Sequence, residues 1–93
     1  METQHSSGEN RGLIMLYALS TCVWCRKTKE LLEKLNIAFD YVEVDRLTRA
    51  DRSQTMKEIK RWNPPCSFPS LVIDNSQCIV GYREQEIRKR FAS

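Results

Sequence analysis

Residues 12–44 read GLIMLYALSTCVWCRKTKELLEKLNIAFDYVEV, and this stretch decides the fold. Its opening, Leu13–Ala18, is almost continuously apolar, as expected of a strand buried on both faces. Thr28, Leu31, Leu32 and Leu35 then recur at i, i+3, i+4 and i+7, which is one face of a helix over 23–36. Asn36 is a natural stop for that helix, and Phe39–Val44 has the β-branched and aromatic content of a second strand. Strand, helix and strand form a βαβ unit, with a right-handed crossover and parallel strands. Cys22-Val23-Trp24-Cys25 sits where the first strand hands over to the helix. There the unpaired backbone N–H groups and the macrodipole favour an anion. For a cysteine that anion is a thiolate, the nucleophile of thiol–disulfide exchange. Cys25, one turn further on, lies on the same side and can reach back to Cys22.

Outward from this unit, Thr48 has the character of an N-cap, with Asp51 three residues on as a partial capping box. Met56, Ile59 and Trp62 supply that second helix with an apolar stripe, and Asn63-Pro64-Pro65 ends it. Leu71–Ile73 and Cys78–Val80 flank the turn-rich tetrad 74–77, which predicts an antiparallel hairpin. Gly81 breaks the last strand, and Glu84–Phe91 closes the chain as a helix with Ile87 and Phe91 inward. The expected fold is therefore α/β and thioredoxin-like: a four-stranded mixed sheet flanked by three helices, in the order βαβ-α-ββ-α. Residues 1–11 (METQHSSGENR) have no periodicity and read as a mobile tail, with His5 solvated, ahead of one domain over 12–93.

The chain has 93 residues, 41% of them hydrophobic, so one small domain with a real core is expected. The formal charge of +3, from 15 basic and 12 acidic residues, is too small an excess to imply nucleic acid. No stretch approaches the roughly 20 apolar residues of a membrane span, and the polar start lacks a signal peptide's apolar core. A cytoplasmic protein follows as the expectation. Four cysteines fit a reducing compartment with one functional pair better than a secreted disulfide framework, because amphipathic helices already supply a core.

Three stretches then carry a family resemblance. Tyr17–Cys25 resembles the strand and redox loop of dithiol glutaredoxins. Ser67–Ile73 resembles the loop whose proline, here Pro69, is cis and faces the redox pair. Ile79–Glu84 resembles the glycine turn that opens the last helix. The resemblance spans residues 12–92 and implies a monomeric thiol–disulfide oxidoreductase without a resident cofactor. Its partners would be disulfide-containing proteins and a low-molecular-weight thiol, glutathione or another. It places Cys22 and Cys25 in the catalytic role and Thr21, Trp24, Phe68, Pro69, Gly81, Tyr82 and Arg83 around the substrate. Four positions depart from the family pattern: Leu19 stands where a glutathione-binding lysine is common, Val23 and Trp24 where a small or proline residue and then tyrosine are usual, and Arg83 where an acidic residue is common.

On this reading Cys22 attacks a disulfide as thiolate and Cys25 resolves the mixed disulfide. Arg26 and Lys27 add positive charge nearby. Trp24 is expected as an exposed lid and Tyr82 either as a groove wall or as packing. Electrons could come from glutathione, from a thioredoxin reductase, or from another small thiol such as coenzyme M, whose sulfonate Arg83 would suit. An iron–sulfur cluster shared through Cys22 is the remaining glutaredoxin alternative. A zinc site is disfavoured by the spacing of Cys66 and Cys78, and a redox-silent adaptor by the presence of both Cys22 and Cys25. Cys78 is expected to be a buried strand residue, Trp62 core, and Cys66 either structural or regulatory. Arg46, Arg49, Arg52, Lys57, Lys60 and Arg61 read as solvated surface or as a docking patch for an acidic partner.

Overall fold

The computed structural model describes residues 3–92. The βαβ unit consists of β2 (Ile14–Ala18), α1 (Val23–Lys34) and β3 (Phe39–Glu43), with β2 and β3 parallel. A 3₁₀ turn over Val44–Arg46 leads to α2 (Arg49–Trp62), then the hairpin β4 (Ser70–Ile73) and β5 (Gln77–Val80), and finally α3 (Glu84–Phe91). β4 runs antiparallel to β2, and β5 antiparallel to β4.

Alternation along the strands splits the core into two. Ile14, Leu16 and Ala18 of β2 and Leu71 and Ile73 of β4 pack with Leu31, Leu32, Ile87 and Phe91, so α1 and α3 cover one face. Tyr17, Val42 and Val72 point the other way, against Ile59 of α2. Trp62 and Cys78 are half-buried against this second cluster, so each is less enclosed than its sequence context predicts.

The caps follow local chemistry. Thr48 Oγ1 accepts the Asp51 N–H at 3.2 Å, the N-cap expected for α2. At the other end of α1, Asn36 takes a left-handed φ of 57°. The Ile37 N–H donates to the Leu32 carbonyl at 3.0 Å and the Asn36 N–H to the Glu33 carbonyl at 2.9 Å. That pair of bonds is a Schellman motif, and it ends the helix at Lys34. In the hairpin, Asp74 and Asn75 are both left-handed and Ser76 N–H donates to the Ile73 carbonyl, the pattern of a type I′ turn.

The stretch expected to be a mobile tail differs. Residues 4–6 form a fifth strand, β1 (Gln4–Ser6), antiparallel to β3 at the sheet edge, giving the order β1-β3-β2-β4-β5. Met1 and Glu2 of that tail lie outside the described residues. His5 is exposed yet bonded, its Nδ1 lying 2.8 Å from Asp40 Oδ1. The Glu9 N–H donates to the Asn36 carbonyl and the Ala38 N–H to the Glu9 carbonyl, which extends the attachment past β1. Gly8 permits this close approach, because a Cβ there would lie 2.7 Å from the Ile37 carbonyl carbon. An edge strand held by backbone pairing, with polar side chains outward, leaves no hydrophobic period in the sequence.

Candidate active site

Cys22 is the N-cap of α1, with extended backbone (φ −86°, ψ 115°). Its Sγ accepts the Cys25 N–H at 3.2 Å, so one of the helix's unpaired donors is aimed at the sulfur. A thiolate at this position gains a charge-assisted hydrogen bond and the positive end of the helix dipole. Cys25 is only 1% exposed. Burial, aided by a hydrogen bond to Cys22, pushes its thiol up to about 12, so it is a neutral donor facing a more accessible sulfur. The two cysteines have unequal surroundings, Cys22 half-buried and Cys25 buried.

Around Cys22 is a small cleft of about 90 Å³ lined by Ser20, Thr21, Cys22, Val23 and Arg26. Arg26 therefore borders Cys22. Lys27 instead sits over the Trp24 ring, 5.1 Å from its centroid. Trp24 is 55% exposed and stacks on Tyr82 across 5.9 Å. Tyr82 is thus packed against the indole, and its hydroxyl lies 3.3 Å from Glu84 Oε1.

The Phe68–Pro69 peptide bond is cis. Phe68 packs between both core clusters, and the Pro69 carbonyl accepts the Gly81 N–H at 2.8 Å, which joins the proline loop to the glycine turn. Gly81 has φ of +85° with open space where a Cβ would stand, so the backbone angle rather than crowding favours glycine. Arg83 turns back on its own chain, its Nε 3.0 Å from the Val80 carbonyl and 3.9 Å from Glu86. Leu19 is half-buried against the second cluster, an apolar role that a lysine could fill only with its stem.

Several supports escaped the sequence reading. The Asn63 amide donates to the Ser67 carbonyl (3.1 Å), to Ser67 Oγ (3.0 Å) and to Ser70 Oγ (3.3 Å), and so holds both ends of the proline loop. Its position before two prolines reads only as a helix stop. Asp45 grips Ser20 of the redox turn from beyond the end of β3, a contact 25 residues apart with no periodic signature. Arg52 is exposed, as expected, and its guanidinium also donates to the carbonyls of Asp45 and Leu47. Cys66 and Cys78 pack against the α2-side cluster, whereas Cys22 and Cys25 belong to the α1 side. Burial raises the Cys78 thiol. Among the described residues no three His, Cys, Asp or Glu side chains converge as metal ligands, and no helix is long and apolar enough to cross a membrane.

The glutaredoxin family model matches residues 14–79. A glutaredoxin-like 8.6 kDa protein of the rubredoxin operon of Clostridium pasteurianum is 36% identical over 77 residues, covering 83% of this chain and 95% of that one. Among solved structures, the glutaredoxin of Methanosarcina mazei Go1 superposes with a TM-score of 0.90 at 46% identity, over 98% of this chain and 88% of that one. The methanoredoxin of Methanosarcina acetivorans gives 0.89 at 44% identity, over 92% and 90%. Family model, relatives and superposition thus cover the strand, redox turn and proline loop described above, and the chain belongs to the glutaredoxin family.

Proposed function

We propose that the protein is a dithiol thiol–disulfide oxidoreductase that reduces protein or mixed disulfides through Cys22 and Cys25. The observation that carries this is the pairing of an accessible N-cap sulfur with a buried thiol one turn above it, joined through the Cys25 N–H at 3.2 Å. Cys22 attacks one sulfur of the substrate disulfide as thiolate. The S–S bond breaks, a mixed disulfide forms at Cys22, and the first substrate thiolate departs and takes up a proton. Cys25 then loses its proton and attacks Cys22, forming the Cys22–Cys25 disulfide and releasing the second substrate thiol. Two electrons have passed from the dithiol to the substrate. Its high proton affinity keeps Cys25 out of the first step and confines it to the intramolecular one. A reducing, cytoplasmic compartment suits this cycle.

The oxidised pair must be recharged by two equivalents of a small thiol or by a reductase. A compact anionic thiol, such as coenzyme M, is favoured over glutathione by two features. The position usually held by lysine is the half-buried Leu19, and Arg26 is the cation bordering the cleft at Cys22. Arg83, which the sequence offers for that anion, is turned toward the Val80 carbonyl and Glu86.

The test is reduction of a small disulfide coupled in parallel to glutathione with glutathione reductase, to thioredoxin reductase, and to coenzyme M. Turnover with any donor that disappears in Cys22→Ser supports the oxidoreductase. Turnover with coenzyme M but not glutathione supports the compact-thiol reading, and the reverse overturns it. Silence with every donor, while Cys22 is reduced and accessible, overturns the function itself.

A further inference from the structure

Cys22 stands at the end of a short turn, closed by its own N–H donating to the Leu19 carbonyl at 3.2 Å. Thr21 in that turn is exposed and Ser20 is half-buried, so core packing does little to hold it. One distant side chain does. Asp45 Oδ1 accepts the Ser20 N–H at 2.8 Å, and Asp45 Oδ2 accepts the Ser20 hydroxyl. Both carboxylate oxygens are thus committed to a single residue two positions before the nucleophile. Asp45 is itself well held. It lies in the 3₁₀ turn Val44–Arg46, next to the buried Val44, and its carbonyl accepts from Arg52 Nη2 of α2 at 3.1 Å.

We propose that Asp45 is a positioning residue for the nucleophile: its two-point grip on Ser20 holds the redox turn so that Cys22 stands at the N-cap of α1 with Sγ on the Cys25 N–H. The inference rests on Cys22 being the reactive thiol. The chain of contacts runs from α2 through Arg52 to the 3₁₀ turn, across to Ser20, and along two peptide units to Cys22. Without the grip, the turn keeps its covalent ends and the Cys22–Leu19 bond. Small rotations there carry Sγ off the N–H that steadies its anion. The Ser20 contacts also hold the Asp45 carboxyl below the usual carboxylate range, so the grip is complete at neutral pH.

Charge alone predicts the opposite behaviour. A carboxylate in this region opposes a neighbouring thiolate, so removing a purely electrostatic Asp45 would make Cys22 more reactive. Removing a positioning Asp45 makes it less so. The sign of one rate separates the two.

The experiment is alkylation of reduced protein by iodoacetamide across a pH series, with Cys22 followed by peptide mass spectrometry. This reads the nucleophile directly and does not depend on any electron donor, so failure of the exchange assay leaves it interpretable. Asp45→Ala should slow Cys22 alkylation about tenfold at neutral pH, the scale set by one lost charge-assisted bond. Ser20→Ala keeps only the N–H contact, and Asp45→Asn keeps it without the carboxylate's charge, its amide able only to donate to the Ser20 hydroxyl; both should fall between Asp45→Ala and the unaltered protein. Equal or faster alkylation in Asp45→Ala overturns the proposal. So does a variant that loses stability yet alkylates at the original rate, since Asp45 would then serve only the fold. If Asp45→Ala does not yield folded protein, Ser20→Ala and Asp45→Asn decide by the same criterion.

Discussion

Trp24 and Tyr82 stack with 5.9 Å between ring centroids and 23° between planes, which joins the first turn of α1 to the loop before α3. Lys27 lies over the Trp24 ring, so the exposed indole has a cation and a second ring as neighbours. The stack links the redox turn to the glycine turn without passing through the core.

A stack at an exposed position adds little to stability. A double-mutant cycle of Trp24→Ala and Tyr82→Ala should give a coupling of about 0.5–1 kcal/mol in urea unfolding. KM for a protein disulfide should rise in each single variant with kcat nearly held. A coupling near zero would mean that the rings act independently.

The buried Cys25 thiol gives the reduced protein an alkaline limit. Its folded value, about 12, lies above the ordinary 9.0, so the folded state holds the proton more tightly than the unfolded chain. The associated stability is present below pH 9 and lost as pH rises toward 12. Burial raises Tyr17 and Cys78 as well, and both contribute with the same sign. The denaturation midpoint of reduced protein should therefore fall with pH above 9, and fall less steeply in Cys25→Ser. Equal slopes would remove Cys25 as a cause.

Asn63 is buried and its amide serves three acceptors in the proline loop. Asn63→Ala should cost about 1–3 kcal/mol, measured by chemical denaturation, because the buried Ser70 hydroxyl and the proline loop lose their donor. Asn63→Ser, which restores one donor, should recover part of this.

Gly8 permits the N-terminal segment to approach residues 36–38, where a Cβ would come within 2.7–2.8 Å of backbone atoms of Ile37 and Ala38. Gly8→Ala should detach this segment and cost about 1–2 kcal/mol. Hydrogen exchange should quicken at the Glu9 and Ala38 amides, which the attachment protects. Iodoacetamide should still modify Cys22 at an unchanged rate, since β3 separates β1 from β2, the strand that leads into the redox turn.

Local chemistry made much of the molecule readable in advance. A continuous apolar run, a 3.6-residue stripe and a segment rich in β-branched and aromatic residues specify β2, α1 and β3, because each reports which faces must leave water. Thr48 and Asn36 mark helix ends by bonds made within a few residues, so their roles show in short stretches of sequence. Cys22 and Cys25 are legible for the same reason: the spacing that makes a helix turn also brings one sulfur over the other's N–H. Tertiary structure alone decided the rest. β1 is held by backbone bonds that any polar sequence can make, and residues 4–6 advertise nothing. Asp45 and Ser20 are 25 positions apart and meet only because β2 and β3 lie side by side in register. Arg26 borders Cys22 while Arg83 folds back on its own turn, a difference set by side-chain direction rather than residue type. Periodicity encodes burial and short-range bonds; contacts between separate elements depend on how those elements dock.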